Sequence, residues 1–132
     1  RGEPIVVDGD GSQTRCFSYI DDVIEGLVRV AAAPGRVPIL HLGSEDERSV
    51  LELAKLVREA AGGDAPVTFR RTADRWGGVE PDILRRIPDA SLARSVFGWR
   101  ATTELSEGLR RVVAWAASAD RDDPLSTVAP GA

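Results

Sequence analysis

The residues with the clearest capacity for chemistry lie between Gly9 and Val23. Arg15 follows a glycine-rich turn, Gly9-Asp10-Gly11, and begins a segment, residues 15–20, whose side chains alternate as they do in a β-strand. A guanidinium on a strand beside such a turn presents a planar fork of donors that can bind a diphosphate through paired hydrogen bonds. Arg15 is therefore a candidate anion-binding residue. A surface ion pair with Asp10 or Asp21 is the structural alternative.

Several kinds of catalytic and cofactor site are absent from the sequence. No G-x-G-x-x-G spacing follows a strand-like segment, and no G-x-x-x-x-G-K is present, so the chain has no dinucleotide or triphosphate loop of its own. Tyr19, the only tyrosine, has Val23 four residues later, which excludes a Tyr-x-x-x-Lys pair. One cysteine, Cys16, and one histidine, His41, exclude a disulfide framework and a His-based metal site. We expect no catalytic residue, no cofactor-binding residue and no metal ligand in this chain.

Length and composition indicate one globular domain. The chain has 132 residues, 42% of them hydrophobic and 29% charged, with a formal net charge of −4. The net acidity argues against a nucleic-acid partner. No apolar run approaches the roughly 20 residues that span a bilayer, and no signal segment opens the chain, so we expect a cytoplasmic protein with no membrane partner. Because the chain begins at Arg1 without methionine, we also expect a fragment or a processed product.

Hydrophobic periodicity predicts the elements that position these residues. Four strands are predicted, at residues 5–7, 15–20, 39–42 and 67–69, with a tight turn or hairpin between the first two. Helices are predicted after Asp21-Asp22, at a Ser49/Glu52 capping box, after Asp89 and from Thr103. Residues 39–42 read as a strand buried on both faces. Residues 70–88 form a long loop, residues 1–117 form the domain, and residues 118–132 form a disordered tail.

The stretch GDGSQTRCFSYIDDV, residues 9–23, resembles the extended short-chain dehydrogenases of the NAD-dependent epimerase/dehydratase family. Within that family, Gln-Thr-Arg-x-Phe is closest to the UDP-glucuronate decarboxylases. The resemblance continues in order through residues 1–117, in six further motifs: LGS at 42–44, SVLELA at 49–54, RIPD at 86–89, LA at 92–93, FGW at 97–99 and EGLRR at 107–111. It corresponds to the C-terminal third of such enzymes.

The resemblance implies a fold and a partner. The fold class is mixed α/β: the C-terminal substrate-binding portion of an extended Rossmann-type short-chain dehydrogenase, with short strands and about four helices, lacking the dinucleotide-binding half. NAD would be held by a missing N-terminal domain, and the parent enzyme would be a homodimer. In this family NAD oxidises C4 of the sugar, the keto acid loses carbon dioxide, and the hydride returns. The chain alone is expected to be inactive.

The resemblance also implies a UDP-sugar pocket built by six residues: Gln13, Thr14, Arg15, Tyr19, Asp82 and Arg86. Arg15 would hold the diphosphate, Arg86 the phosphates or the sugar carboxylate, and Asp82 would accept hydrogen bonds from the ribose hydroxyls. Gln13 and Thr14 are turn residues in the alternative interpretation. Tyr19 either contacts the ligand or packs in the core, and Asp82 and Arg86 are otherwise solvated loop charges.

Two other functions remain open at this point. One is a sugar-nucleotide 4-epimerase or 4,6-dehydratase of the same family, which differs from a decarboxylase in its sugar chemistry. The other is a non-catalytic module that binds a nucleotide sugar or a protein.

Overall fold

Strands and helices alternate along the residues that the computed structural model describes, 3–33, 39–71 and 83–119. These residues form five short strands and four helices: β1 (Ile5–Asp8), β2 (Thr14–Cys16), α1 (Ile20–Ala32), β3 (Glu47–Ser49), α2 (Val50–Ala60), β4 (Val67–Arg70), β5 (Arg85–Arg86), α3 (Ser91–Phe97) and α4 (Leu105–Ala119). The predicted mixed α/β class with four helices is confirmed. Most of the predicted tail, and Asp82, lie outside the described residues.

The strands form two small sheets. β1 pairs in parallel with β4, while β2 lies between β3, to which it is antiparallel, and β5, to which it is parallel. Of the two predicted alternatives between the first two strands, the tight turn forms and the hairpin does not. Gly9 and Gly11, both at φ 75°, carry the chain from one sheet to the other. A Cβ on Gly11 would lie 3.0 Å from Leu51 Cβ, so this turn also requires glycine for space.

The second strand is shorter than predicted, and two strands that were not predicted pair with it: β3, and β5, which lies inside the segment 70–88 predicted as a loop. β2 ends at Cys16, and β3 forms directly before α2. The capping box at the start of α2 is confirmed, because Glu52 N donates to Ser49 Oγ and Ser49 N donates to Glu52 Oε2. The capping box holds Ser49 in an extended conformation, so β3 leads directly into α2 with no loop between them.

The core centres on Trp99, which is 1% exposed and packs with Ala90 and Ala93. Gly98 ends α3 in the left-handed conformation at φ 58°, as predicted, and turns Trp99 inward. Residues 39–42 form no strand, contrary to the prediction. Leu40 and Leu42 pack on the Trp99 cluster instead, and Ile39 is 74% exposed.

The start of α1 is tied to the start of α4 through Asp22. Neither Asp21 nor Asp22 caps α1, because the N-cap residue is Tyr19 and no side chain caps it. Asp22 is buried and accepts hydrogen bonds from Thr103 N (3.0 Å) and Thr102 Oγ1 (3.2 Å). Trp99 Nε1 donates to the Asp22 carbonyl at 2.7 Å. These bonds hold the segment before α4, which begins at Leu105 and not at Thr103.

The apolar face of α1 is uncovered in the described part of the chain. This face carries Ile24, Leu27 and Val28, and all three are exposed. Among the described helices, none combines the length and hydropathy needed to cross a membrane.

Candidate functional site

Three arginines lie side by side on one face of the three-stranded sheet. Arg15 on β2 is the register partner of Arg86 on β5 and of Arg48 on β3. Register partners on neighbouring strands share a face of the sheet, so Arg48, Arg15 and Arg86 form a continuous arginine row. Neighbouring strands lie about 4.8 Å apart, so the backbone positions of the outer two residues are roughly 10 Å apart. The sequence resemblance assigned Arg15 and Arg86 to the same pocket, and the structure places them opposite each other on neighbouring strands.

The row carries more positive charge than the described residues neutralise. Arg86 is exposed and forms no ion pair within residues 3–33, 39–71 and 83–119. Arg48 Nε lies 3.1 Å from Asp46 Oδ2, and this carboxylate raises the pKa of Arg48 further above its usual value. Arg15 is half-buried, and its Nη1 donates to the Thr14 carbonyl at 2.7 Å. Because like charges placed opposite one another on a sheet repel, this face favours a bound anion.

On the other face of the same sheet, the polar side chains form hydrogen bonds with one another. Arg85, next to Arg86, donates from Nε (2.9 Å) and Nη2 (3.0 Å) to the two carboxylate oxygens of Glu47. Thr14 Oγ1 also donates to Glu47 Oε1. Glu47 accepts hydrogen bonds from Arg85, which has the larger effect, and from Thr14, and these bonds hold the pKa of Glu47 below its ordinary value. The Thr14 hydroxyl therefore ties strands together on the face away from the arginine row.

Two other predicted site residues have partners inside the fold. Gln13 is buried, and its Nε2 donates to the Asp8 carbonyl at 2.9 Å. The Tyr19 ring lies 5.3 Å from the Arg111 guanidinium carbon and packs over Gly108, where a Cβ would lie 3.2 Å from Tyr19 Cδ2. Such a cation–π contact and close packing account for Tyr19 without a ligand. The structure thus brings Arg15 and Arg86 together, whereas Thr14, Gln13 and Tyr19 point to structural partners.

Sequence reasoning missed Arg48. It lies on a strand of three residues, too short to show an alternating pattern, and only its pairing with β2 reveals it. Arg48 also lines a polar cleft of about 310 Å³ between β3 and the segment before α4. The other lining residues come from both walls: Phe17, Ser44, Asp46, Ala101, Thr102, Thr103, Glu104 and Leu105. The arginine row therefore opens at one end into a cleft that can hold part of a small molecule.

Sequence comparison identifies relatives along most of the chain. No family model matches it. The chain is 37% identical over 113 residues to UDP-glucuronic acid decarboxylase 4 of Arabidopsis thaliana, a match that covers 86% of the chain and 24% of that protein. It is 32% identical over 113 residues to UDP-glucuronic acid decarboxylase 1 of Xenopus tropicalis, with 86% and 25% covered. The chain thus spans about a quarter of the length of the curated relatives it matches.

Solved structures share the fold. UDP-glucose 4-epimerase of Thermotoga maritima, solved with UDP-glucose, superimposes with a TM-score of 0.77 at 26% identity, covering 89% of the chain and 36% of the epimerase. UDP-glucuronic acid 4-epimerase of Bacillus cereus, solved with UDP-glucuronic acid and NAD, gives 0.77 at 25% identity with the same coverage. The chain matches the C-terminal portion of the NAD-dependent epimerase/dehydratase family. The predicted resemblance to this family is confirmed, and within it the sequence relatives are UDP-glucuronic acid decarboxylases.

Proposed function

We propose that this chain is the nucleotide-sugar-binding part of an NAD-dependent enzyme of the UDP-glucuronic acid decarboxylase type. The observation that carries the proposal is the pairing of Arg15 with Arg86 on one sheet face. Two adjacent guanidiniums match a diphosphate in charge and in bidentate geometry. The names of the sequence relatives and the UDP-sugars in two related structures support a UDP-sugar as the ligand.

The sheet prepares this site before the ligand arrives. β2 and β5 fix the two backbones in register, so little chain entropy is lost when both guanidiniums bind one diphosphate. The glycine turn at residues 9–11 leads directly into β2. Arg15 and Arg86 therefore hold the nucleotide end of the substrate, which orients the sugar. Asp82 as a ribose ligand stays a prediction.

The described residues do not fit NAD. The glycine turn at residues 9–11 leads into a strand, whereas a dinucleotide loop leads into a helix whose N-terminus faces the pyrophosphate. We propose that another part of the enzyme, corresponding to the remaining length of the relatives, binds NAD. A homodimeric enzyme and a cytoplasmic location stay predictions.

The uncovered face of α1 is the proposed contact with that NAD-binding part. Amphipathic helices bury their apolar stripe, and exposed apolar patches commonly mark interfaces. In the full-length gene product, we expect L27D to abolish NAD-dependent turnover and to leave UDP-glucuronic acid binding intact. V112D, which places the same charge on an exposed apolar position of α4, is the matched control. Equal activity of the two variants would contradict this contact.

Calorimetric titration of the full-length gene product with UDP-glucuronic acid tests the binding proposal. We expect R86Q to weaken binding about tenfold or more, because a charge-assisted hydrogen bond to the diphosphate is lost. R85Q, one residue away on the opposite face, should bind within about twofold of the wild type, a prediction that follows from its pairing with Glu47. The proposal fails if the wild type does not bind, or if the two variants lose affinity equally.

Product analysis separates the decarboxylase from its relatives. Incubation with UDP-glucuronic acid and NAD should release carbon dioxide and UDP-xylose. Formation of the C4 epimer would instead indicate a 4-epimerase, the function named for two structural relatives. Binding without any product would favour a non-catalytic nucleotide-sugar module.

A further inference from the structure

The arginine row is longer than a diphosphate requires. Arg86 and Arg15 already supply two guanidiniums, and Arg48 adds a third on the far side of β2. From this arrangement we infer that Arg48 is a specificity-determining residue, which binds the carboxylate of a sugar acid attached to the diphosphate. The inference rests on the proposed function, since it assumes that Arg15 and Arg86 hold the diphosphate.

The hydrogen bonding of Arg48 leaves it free to take a ligand carboxylate. Asp46 accepts from Nε alone, and no described residue accepts from the two terminal nitrogens of Arg48. Those two nitrogens form the end-on edge of the guanidinium, which can bind a carboxylate through two parallel bonds. Arg85 differs, because Glu47 already takes both its Nε and its Nη2. The side chain of Arg48 is also 42% exposed, so a ligand can reach it.

Asp46 fixes Arg48 in place without neutralising the whole row. Asp46 N donates to Ser44 Oγ at 3.1 Å, and this bond anchors the carboxylate that holds Arg48 Nε. Asp46 pairs with Arg48 alone, and Arg86 at the other end of the row has no ion pair within residues 3–33, 39–71 and 83–119. A nucleotide sugar with a carboxylate on its sugar carries one more negative charge than its diphosphate supplies. It therefore reduces the repulsion among the arginines more than a nucleotide sugar with a neutral sugar does.

The cleft beside Arg48 suits the sugar ring. Its volume of about 310 Å³ lies at the small end of ligand sites, as one hexose requires. Phe17 lies two residues after Arg15 and lines the cleft together with Arg48, so the cleft adjoins the row. Ser44 Oγ, which accepts from Asp46 N, retains its own proton to donate to a sugar hydroxyl, and Glu104 offers acceptors.

Two ligands that differ only at the sugar test this inference. UDP-glucuronic acid carries a carboxylate where UDP-glucose carries a hydroxymethyl group. We would titrate each into the full-length gene product as wild type, R48Q, R48K and R110Q, with thermal unfolding to confirm the fold. R110Q removes an exposed arginine of α4 that lies outside both the row and the cleft.

We expect the wild type and R110Q to prefer UDP-glucuronic acid over UDP-glucose by about tenfold or more. R48Q should bring the two affinities within about twofold of each other by weakening UDP-glucuronic acid alone. R48K should keep part of the preference, because lysine restores the charge without the fork.

Three results would overturn the role of Arg48 while leaving the proposed function intact. These are a wild type that binds both ligands equally, a preference that survives in R48Q, and an equal loss of both ligands in R48Q. In the last case Arg48 would act on the diphosphate. If neither ligand binds the wild type, the proposed function fails together with the inference.

Discussion

The arginine row and the cluster around Trp99 handle polar groups in opposite ways. In the cluster, the Asp22 carboxylate, the Asp22 carbonyl and the Trp99 indole nitrogen all have partners within the chain. In the row, Arg86 and the terminal nitrogens of Arg48 have no hydrogen-bond partner among the described residues. Buried polar groups are tolerated only when they are hydrogen-bonded, whereas like charges directly opposite one another on a sheet repel, and a bound anion relieves that repulsion. The cluster therefore maintains the fold, and the row is where we propose that a ligand binds.

The two faces of the three-stranded sheet repeat this difference at closer range. Arg85 and Arg86 are adjacent in sequence, have the same side chain and are both exposed. Arg85 joins Glu47 and Thr14 in a self-contained group, while Arg86 joins the row. Residue type and exposure do not distinguish an arginine with a partner in the fold from one that we propose binds a ligand. The face of the strand does.

The largest expected effect is on the cluster. W99A should lower the free energy of unfolding by about 3–5 kcal/mol, because it empties a buried site and leaves the Asp22 carbonyl without its indole donor. Chemical denaturation measures the change. W115A is the matched control, since Trp115 is 69% exposed, and it should cost less than about 1 kcal/mol. Similar losses in the two variants would break the distinction between a core and a surface tryptophan.

The role of Asp22 in the Trp99 cluster can be tested through the pH dependence of the free energy of unfolding. Burial acts to raise the pKa of Asp22, but hydrogen bonds from Thr103 and Thr102 outweigh it, so the pKa lies below its ordinary value of 3.8. A carboxyl with a lowered pKa stabilises the fold above 3.8, and the stabilisation is lost as the pH falls through the folded-state pKa. D22N should therefore cost about 1.5–3 kcal/mol at neutral pH and less in strong acid.

The neighbouring residue provides the control for that measurement. Asp21 is exposed, so D21N should retain the stability of the wild type and its pH profile. Unfolding curves of the three proteins between neutral and strongly acidic pH give the comparison. A constant difference between D22N and the wild type across that range would show that the Asp22 charge has no structural role.

Gly26 tests how tightly α1 packs on the same cluster. A Cβ at Gly26 would lie 2.9 Å from both Leu42 Cδ2 and Trp99 Nε1. Alanine is favoured over glycine within a helix by about 1 kcal/mol, but overpacking costs about 1–3 kcal/mol. We therefore expect G26A to lower stability by a net of about 0–2 kcal/mol. G63A, whose Cβ meets only Ala65 N at 3.9 Å, should be nearly neutral in the same denaturation experiment. A stabilised G26A would contradict this packing.

Local features were predicted better than long-range pairing, although the cap expected at Asp21-Asp22 does not form. The capping box at Ser49, the glycine stop at Gly98 and the turn at residues 9–11 depend on neighbouring residues, and all three formed. The partners of β1 and β2 lie far along the chain, so a local pattern suggested a hairpin that the structure does not contain. Arg15 was found through its motif. Arg48 could not be found in this way, because only its position opposite Arg15 on the neighbouring strand marks it as a candidate.

The smallest expected effect concerns the row without ligand. R86Q removes one of three like charges and no ion pair within the described residues, so the free energy of unfolding should change by at most about 0.5 kcal/mol, in the stabilising direction. R85Q breaks the contact with Glu47 and should destabilise by up to about 1 kcal/mol. Salt screens repulsion between exposed charges, so the R86Q gain should shrink as ionic strength rises. Destabilisation by R86Q, or a gain that grows with salt, would mean that Arg86 belongs to the self-contained face. If R86Q is more stable than the wild type and yet loses UDP-glucuronic acid binding, repulsion within the arginine row destabilises the free protein. The same arginines then stabilise the complex with the ligand.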